Sequence, residues 1–417
     1  MRIPIALMAI AASLSVTLPA QQVDGFYLSP RHTALVWSQS DTNLQMWRVQ
    51  LGAKPQWTEL AEPQQVLAFM HRQKKEDPES SGVAVDVASG ILRLFWLQHT
   101  DCEAKQAESR PYPDDTLPCA YTLHQAATPV ANLIAGKDSG AVWRVTSSKM
   151  IDTPSEEMVD FDEIKMVDRQ HGWMILSDNS LMNRMPQNLA TTADGGAHWT
   201  TQKAKGMPIG TDFSQLLIAR SATEAWFAEL REGDEPLGMW HTVDGGKLWK
   251  IDHALSHKFP WCEDCDQGPT WQLPSRNGIP CFALGLQSEP EPSVEQNESP
   301  GRYCMAKDGK TWLPATKMSN PGDSIESYFS SPLFADQRLG FQAVTAKSEF
   351  ITTIYETTDG GMNWYASSLA TGEDIRLEQS LAQGQDVLLL LSGEDSHRKL
   401  MYSPDRGTTW TEMELPH

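Results

Sequence analysis

Thr191-Thr-Ala-Asp-Gly-Gly-Ala-His-Trp-Thr200 is a turn that this chain writes repeatedly. It returns as Thr242-Val-Asp-Gly-Gly-Lys-Leu-Trp249, as Thr357-Thr-Asp-Gly-Gly-Met-Asn-Trp364 and as Ser403-Pro-Asp-Arg-Gly-Thr-Thr-Trp410. In such a turn the Asp carboxylate accepts backbone N–H groups and Gly takes the positive φ of a tight reversal. The Trp is expected to bury its ring beside the strand that follows. The repeated positions are therefore Thr192, Asp194, Gly196 and Trp199; Thr242, Asp244, Gly246 and Trp249; Thr357, Asp359, Gly361 and Trp364; and Ser403, Asp405, Gly407 and Trp410. Each copy reads as strand, turn, strand.

Weaker copies extend the array. Lys307-Asp-Gly-Lys-Thr-Trp312 is one residue shorter and keeps Asp308 and Trp312. Lys137-Asp-Ser-Gly-Ala-Val-Trp143 lacks the hydroxyl residue, and Gly52-Ala-Lys-Pro-Gln-Trp57 is a worn version. Around the turns lie short β-branched or aromatic runs, such as Thr33 to Gln39, Leu92 to Gln98 and Val387 to Ser392, separated by Gly, Pro, Asp and Asn. Ile164 and Met166 alternate as one strand, Gln170 to Gly172 turns, and Trp173 to Leu176 forms the next. A period of about fifty residues holding about four strands is the content of one propeller blade. The expectation is an all-β chain, a single β-propeller of about seven four-stranded blades, with six and eight as the bounds. No long helical pattern is visible after the N-terminus. Polar loops are read at His71 to Gly82, Asp101 to Pro118, Ser256 to Pro274 and Gln287 to Gly301, where a regular scaffold carries specificity.

Residues 1–20 read as an export signal, one basic residue followed by an uncharged apolar run ending at Ala20, and 21–417 as the propeller. No later run is long enough to span a bilayer. The expected location is periplasmic or secreted. A formal net charge of −20 argues against nucleic acid and anionic lipid as partners and would steer a partner with a basic surface.

In an exported chain the six cysteines favour disulfides. Cys102 and Cys119 bracket an acidic loop, Cys281 and Cys304 lie in strand-like segments flanking another, and Cys262 and Cys265 then pair with each other. A four-Cys zinc site needs two close pairs, which Cys281 and Cys304 do not form. The acidic Glu263, Asp264 and Asp266 read as solvated, without calcium-loop spacing. Asn297-Glu-Ser299 is a glycosylation acceptor in a eukaryotic source. No nucleophile elbow, zinc-protease helix motif or phosphate loop is present, and no cofactor or metal site is expected.

The repeated turn resembles the Asp-box, or BNR-repeat, propellers, whose pattern is Ser/Thr-x-Asp-x-Gly-x-x-Trp. With His171-Gly-Trp173 ahead of its turn, the chain is most similar to the photosystem II stability/assembly-factor type, exported propellers that hold other proteins. That resemblance implies a non-enzymatic assembly factor or scaffold, and within binding an immunity or inhibitor protein against an exported toxin or hydrolase is the alternative. Sialidases carry the same box, so a sialidase-like exo-glycosidase is the rival from another class. It would need an Arg-Ile-Pro motif in its first blade, three converging arginines and a Tyr and Glu pair. Arg2-Ile3-Pro4 lies in the export signal, and Tyr402 is matched by Tyr303, Tyr355 and Trp240 ahead of their own turns, which reads as packing. The box residues are read as structural.

Overall fold

The computed structural model describes residues 23–40, 43–61, 63–76, 83–100, 120–136, 143–149, 159–178, 188–202, 205–206, 215–229, 238–251, 271–276, 279–283, 301–306, 312–317, 327–329, 333–346, 351–361, 363–369, 372–373, 375–393, 398–414 and 416. Residues 1–20, read as an export signal, and cysteines 102, 119, 262 and 265 lie outside them. The described strands form six four-stranded antiparallel sheets and one six-stranded sheet. These are seven blades in chain order.

Blade 1 is Gly25–Ser29, Thr33–Ser40, Asn43–Gln50 and Gln56–Glu59. Blade 2 is Ala84–Ala88, Ile91–Thr100, Ala120–Pro129 and Arg144–Lys149. Blade 3 is Val159–Met166, Gly172–Asp178, Asn188–Thr192 and Thr200–Gln202. Blade 4 is Gln215–Ala219, Ala225–Glu229, Gly238–Thr242 and Lys250–Ile251. Blade 5 is Trp271–Arg276, Ile279–Ala283, Gly301–Met305 and Trp312–Lys317. Blade 6 is built on Ser327–Phe329, Gly340–Ala346, Ile351–Thr357 and Tyr365–Ala366, with Leu333–Phe334 and Gly372–Glu373 added to its middle strands. Blade 7 is Arg376–Gln383, Asp386–Ser392, Arg398–Ser403 and Thr411–Met413.

Two expectations are corrected. Helix α1 (Gln64–Glu76) occupies the start of the stretch read as a loop from His71. Its Val66, Phe69 and Met70 join the core between blades 1 and 2, so tertiary burial makes a helix of a segment whose periodic face is only one turn wide. Likewise Trp271 to Pro274, read as loop, belongs to the first strand of blade 5. The Pro that suggested a loop is tolerated there because the pairing with the next strand is irregular, its register shifting between Leu273 and Arg276.

Each repeat turn joins the third and fourth strands of its blade, and its bonds recur. The hydroxyls of Thr192, Thr242, Thr357 and Ser403 donate to the Asp carboxylate at 2.8 to 3.0 Å. Each also accepts the N–H of the second glycine position, Gly196, Gly246, Gly361 or Gly407. The carboxylate in turn accepts the N–H four residues on, from His198, Leu248, Asn363 or Thr409. A further bond ties the turn to its own blade: the N–H after the Asp donates to the hairpin between strands one and two, Gly195 to Gln170 O, Gly245 to Thr223 O, Gly360 to Arg338 O and Arg406 to Gln385 O. The two hairpins of a blade are thereby clipped together.

The turn also faces the preceding blade, a contact the sequence had not indicated. Trp199 meets Phe95, Trp249 meets Trp173 and Trp410 meets Phe341, each edge to face with centroids 5.6 to 6.3 Å apart, and each partner lies on the second strand of the blade before. Trp57 joins the core shared by blades 1 and 7, edge to face with Trp47 of its own blade, and Trp143 joins the core shared by blades 1 and 2, whereas Trp364 meets Phe334 within blade 6. Gly246 (φ 85°) sits where a Cβ would overlap Leu189 Cδ2 and lie 3.0 Å from Trp173 Cζ3, both of blade 3. At Gly407 a Cβ would come within 2.8 Å of Glu356 of blade 6. Blade 7 and blade 1 share no strand. They are joined by side chains: Gln379 brackets Phe26 through its backbone N–H and C=O, at 3.2 and 3.0 Å, and Arg398 pairs with Asp24.

Two seams carry buried carboxyls. Burial pushes Asp86 up to about 6 against the pull of Arg93, and burial pushes Glu356 up to about 7 against Ser367 and Arg406. Both groups are harder to ionise folded than unfolded, so stability falls as pH rises from their ordinary values of 3.8 and 4.5 through 6 and 7. The hydrogen-bonded Asp194, Asp244, Asp336 and Asp405 are held low and act oppositely, losing their contribution below 3.8. Urea midpoints are thus expected to peak near pH 4 to 5, and Glu356→Gln to flatten the decline toward pH 7; a midpoint that rises from pH 5 to 7 in the wild type would contradict this.

The glycines give a sharper comparison. At Gly245 (φ 78°) the nearest atom to a Cβ is 3.8 Å away, so Gly245→Ala should cost only backbone strain, about 1 kcal/mol. Gly246→Ala adds overlap with blade 3 and should cost about 3 kcal/mol in urea denaturation. Equal losses would show that the turn does not wedge the seam.

Candidate functional site

Antiparallel order puts the hairpins between strands one and two, and the repeat turns between strands three and four, on one face of the ring. The other face receives every connection between strands two and three and every passage from one blade to the next. On the turn face the first hairpins are short, 30–32, 89–90 and 384–385 among them. On the opposite face the strand ends flank the longest connections, 60–83, 101–119, 252–270 and 284–300, which hold the four polar loops read from the sequence except for Trp271 to Pro274 and Gly301, which are strand. The repeat turns and the strand ends that flank the four polar loops therefore lie on opposite faces. Asp308 lies outside the described residues, and Trp312 opens the fourth strand of blade 5.

Cys281 and Cys304 stand directly opposite each other on the second and third strands of blade 5. Antiparallel pairing brings opposed Cβ atoms to about 4.5–5.5 Å.

Tyr402, the residue a glycosidase reading requires, is on the turn face and inside the closing seam. Its hydroxyl donates to Asp386 Oδ1 at 2.8 Å, and the other oxygen of that buried carboxylate meets Nδ1 of exposed His32 at 2.6 Å. Burial, with the bond to Asp386, pushes the phenol above its ordinary range. A tyrosine nucleophile needs the reverse, an accessible oxygen with a depressed pKa. The proposed match with Trp240 and Tyr355 needs correction in one respect: Tyr402 directly precedes its turn, whereas those two sit two residues before theirs. One residue reverses the face of a strand, so Tyr402 packs on blade 1, the following blade, while Trp240 packs on blade 3, the preceding one. Both remain packing residues.

Sequence reading missed Arg93, fully buried in an apolar strand run of blade 2. It reaches across to blade 3, donating to Arg169 O at 3.2 Å and Gly195 O at 3.4 Å, and Asp86 lies 3.5 Å away. An arginine inside Ile91-Leu-Arg-Leu-Phe was the available signal, because such a charge is buried only with partners. The bonding of His171, quoted above for the resemblance alone, was missed too. Partial desolvation raises the carboxyl of exposed Asp168, but it receives the N–H of Gln170 and both the N–H and ring of His171, and these bonds together bring it down to about 2.

Tyr402→Phe should keep the fold while stranding one oxygen of a buried carboxylate, a loss of about 1–3 kcal/mol in chemical denaturation. No loss at all would place the hydroxyl in solvent.

No family model matches the chain, and no curated protein matches it. Solved structures do. Prolyl oligopeptidase B from Galerina marginata aligns with a TM-score of 0.50 at 10% identity over 95% of this chain and 52% of that one, so the chain spans about half of that protein. An ulvan lyase aligns at 0.46 and 10% identity, over 95% and 98% of the two chains. The β-propeller domain of the trilobed protease from Pyrococcus furiosus aligns at 0.45 and 7% identity, over 96% of each. The likeness is one of fold, and the fold is the β-propeller.

Proposed function

We propose that this chain is an exported protein-binding propeller, a non-enzymatic assembly or stability factor or scaffold for another envelope or secreted protein. The observation that carries the reading is the asymmetry of the two faces. Apart from the connections 130–143 and 330–339, the strand ends on one face are joined by short turns, and those on the other flank the long connections 60–83, 101–119, 252–270 and 284–300. A rigid ring that presents several long connections together on one side suits a broad surface better than a small substrate. The net charge of −20 favours a partner with a basic patch and speeds its encounter. Among the described residues no helix is long and apolar enough to cross a membrane. The glycosidase reading loses support because Tyr402 is spent on Asp386 within the seam.

Pull-down with the chain lacking residues 1–20, from the envelope of its native host, should recover a stoichiometric partner and no turnover of a fluorogenic sialoside. Replacing 101–119 or 284–300 by a short Gly-Ser linker should release that partner with the thermal midpoint unchanged. Turnover abolished by Tyr402→Phe would defeat the reading.

A further inference from the structure

Blade 4 departs from the rule its fellow turns obey. In blades 3, 6 and 7 the residue four after the Asp returns its side chain to the second carboxylate oxygen: His198 Nδ1 at 2.6 Å, Asn363 Nδ2 at 2.7 Å and Thr409 Oγ1 at 2.7 Å. In blade 4 that position is Leu248, which has no polar atom to give. Leu248 is 38% exposed, Val243 before the Asp is 65% exposed, and Ile251 on the outermost strand is 40% exposed. Of the five exposed large hydrophobics among the described residues, these three share one corner.

That corner is also basic. Lys247 and Lys250 flank Leu248 and are exposed, and Lys205 is laid against the turn in a parallel bridge to Leu248. Lys205 N–H donates to Lys247 O at 3.1 Å, and Trp249 N–H donates to Lys205 O at 2.8 Å. Gly206 (φ 80°) permits the approach, since a Cβ there would lie 2.5 Å from Trp249 O. The one carboxylate among the described residues of the turn, Asp244, is exposed but is engaged locally, accepting Thr242 Oγ1 and the N–H groups of Lys247 and Leu248, and the three lysines outnumber it.

We infer that this corner of blade 4 is a docking surface for a protein segment that is apolar with acidic flanks. A local rule is broken in a stretch that carries three exposed aliphatic side chains and, with Lys205 bridged to it, three exposed lysines, and the stabilising side-chain bond is given up for an exposed leucine. Complementarity selects the occupant: exposed lysines beside exposed aliphatic side chains favour carboxylates beside an apolar anchor. An anionic bilayer offers similar chemistry, but a chain of net charge −20 is repelled from an extended anionic sheet, whereas a short segment meets only the local field. The surface is separate from the loop-bearing face and does not rest on the function assigned to it.

The test uses the chain without residues 1–20 and a fluorescein-labelled peptide of alternating Glu and Leu, with a Lys and Leu peptide as control, read by anisotropy. Saturable binding of the acidic peptide is expected, weakening with salt and falling at least tenfold in Leu248→Asn and in Lys250→Glu. Leu248→Asn restores the side-chain type of blade 6, so its urea midpoint should equal or exceed the wild type; Lys250→Glu lies outside the turn and guards against a folding defect in the first variant. The inference is overturned if the acidic peptide does not bind, if Leu248→Asn binds it as well as the wild type, or if the Lys peptide is preferred. Binding to phosphatidylglycerol vesicles in its place, or self-association lost in Leu248→Asn, would overturn it in favour of a membrane or a second copy.

Discussion

The structure depends on the lack of room at the second glycine of the repeat turn. At Gly246 the space a side chain would take belongs to Leu189 and Trp173 of the preceding blade, and at Gly407 it belongs to Glu356. The same turn drives its Trp edge-on into an aromatic ring of that neighbour. Each turn therefore acts on two scales. Within its blade, hydroxyl, carboxylate and backbone bonds fix the hairpin and clip it to the first hairpin; between blades, glycine and tryptophan set the approach. Among the described residues, a ring built from such units closes without any strand passing from one end of the chain to the other, because blades 1 and 7 share a core that includes Trp57, as blades 3, 4 and 7 each present their own Trp to the one before.

Polar groups at the seams follow from this geometry. A close approach between sheets buries whatever lies on the facing strands, and where that is polar it must be partnered. Arg93 finds the carbonyls of Arg169 and Gly195, and Gln379 finds both backbone groups of Phe26. Arg406 stands in left-handed backbone (φ 58°) where the other strong turns have glycine. Its guanidinium bonds Gly384 O of its own blade and Asp336 of blade 6, which offsets the strain of about 1–2 kcal/mol. Carboxyls without such full partnering, Asp86 and Glu356, are the ones pushed up.

The division of labour between the two faces has the same origin. Residues that bond the turns to one another are committed to the scaffold, which leaves the opposite face free to vary in length. Blade 4 is the exception on the turn side, because Leu248 gives up the local bond and its corner is apolar and basic.

By itself the sequence determined the fold class, the blade repeat and the position of each strong turn, because a tight turn is a local object whose Asp, Gly and hydroxyl act within a few residues of one another. It also placed Cys281 and Cys304 on adjacent strands. The direction of the turn's Trp and second glycine, toward the preceding blade, was decided only in three dimensions, since the partners Phe95, Trp173, Phe341 and Leu189 lie tens of residues away and carry no local mark. The same holds for Tyr402, whose face depends on a register that one residue reverses, for helix α1, which exists because blades 1 and 2 bury it, and for Arg93, whose charge is tolerated only because blade 3 brings carbonyls to it. Contacts between blades are long-range, and a repeat read along the chain contains no information about which neighbour each copy will touch until the ring is closed.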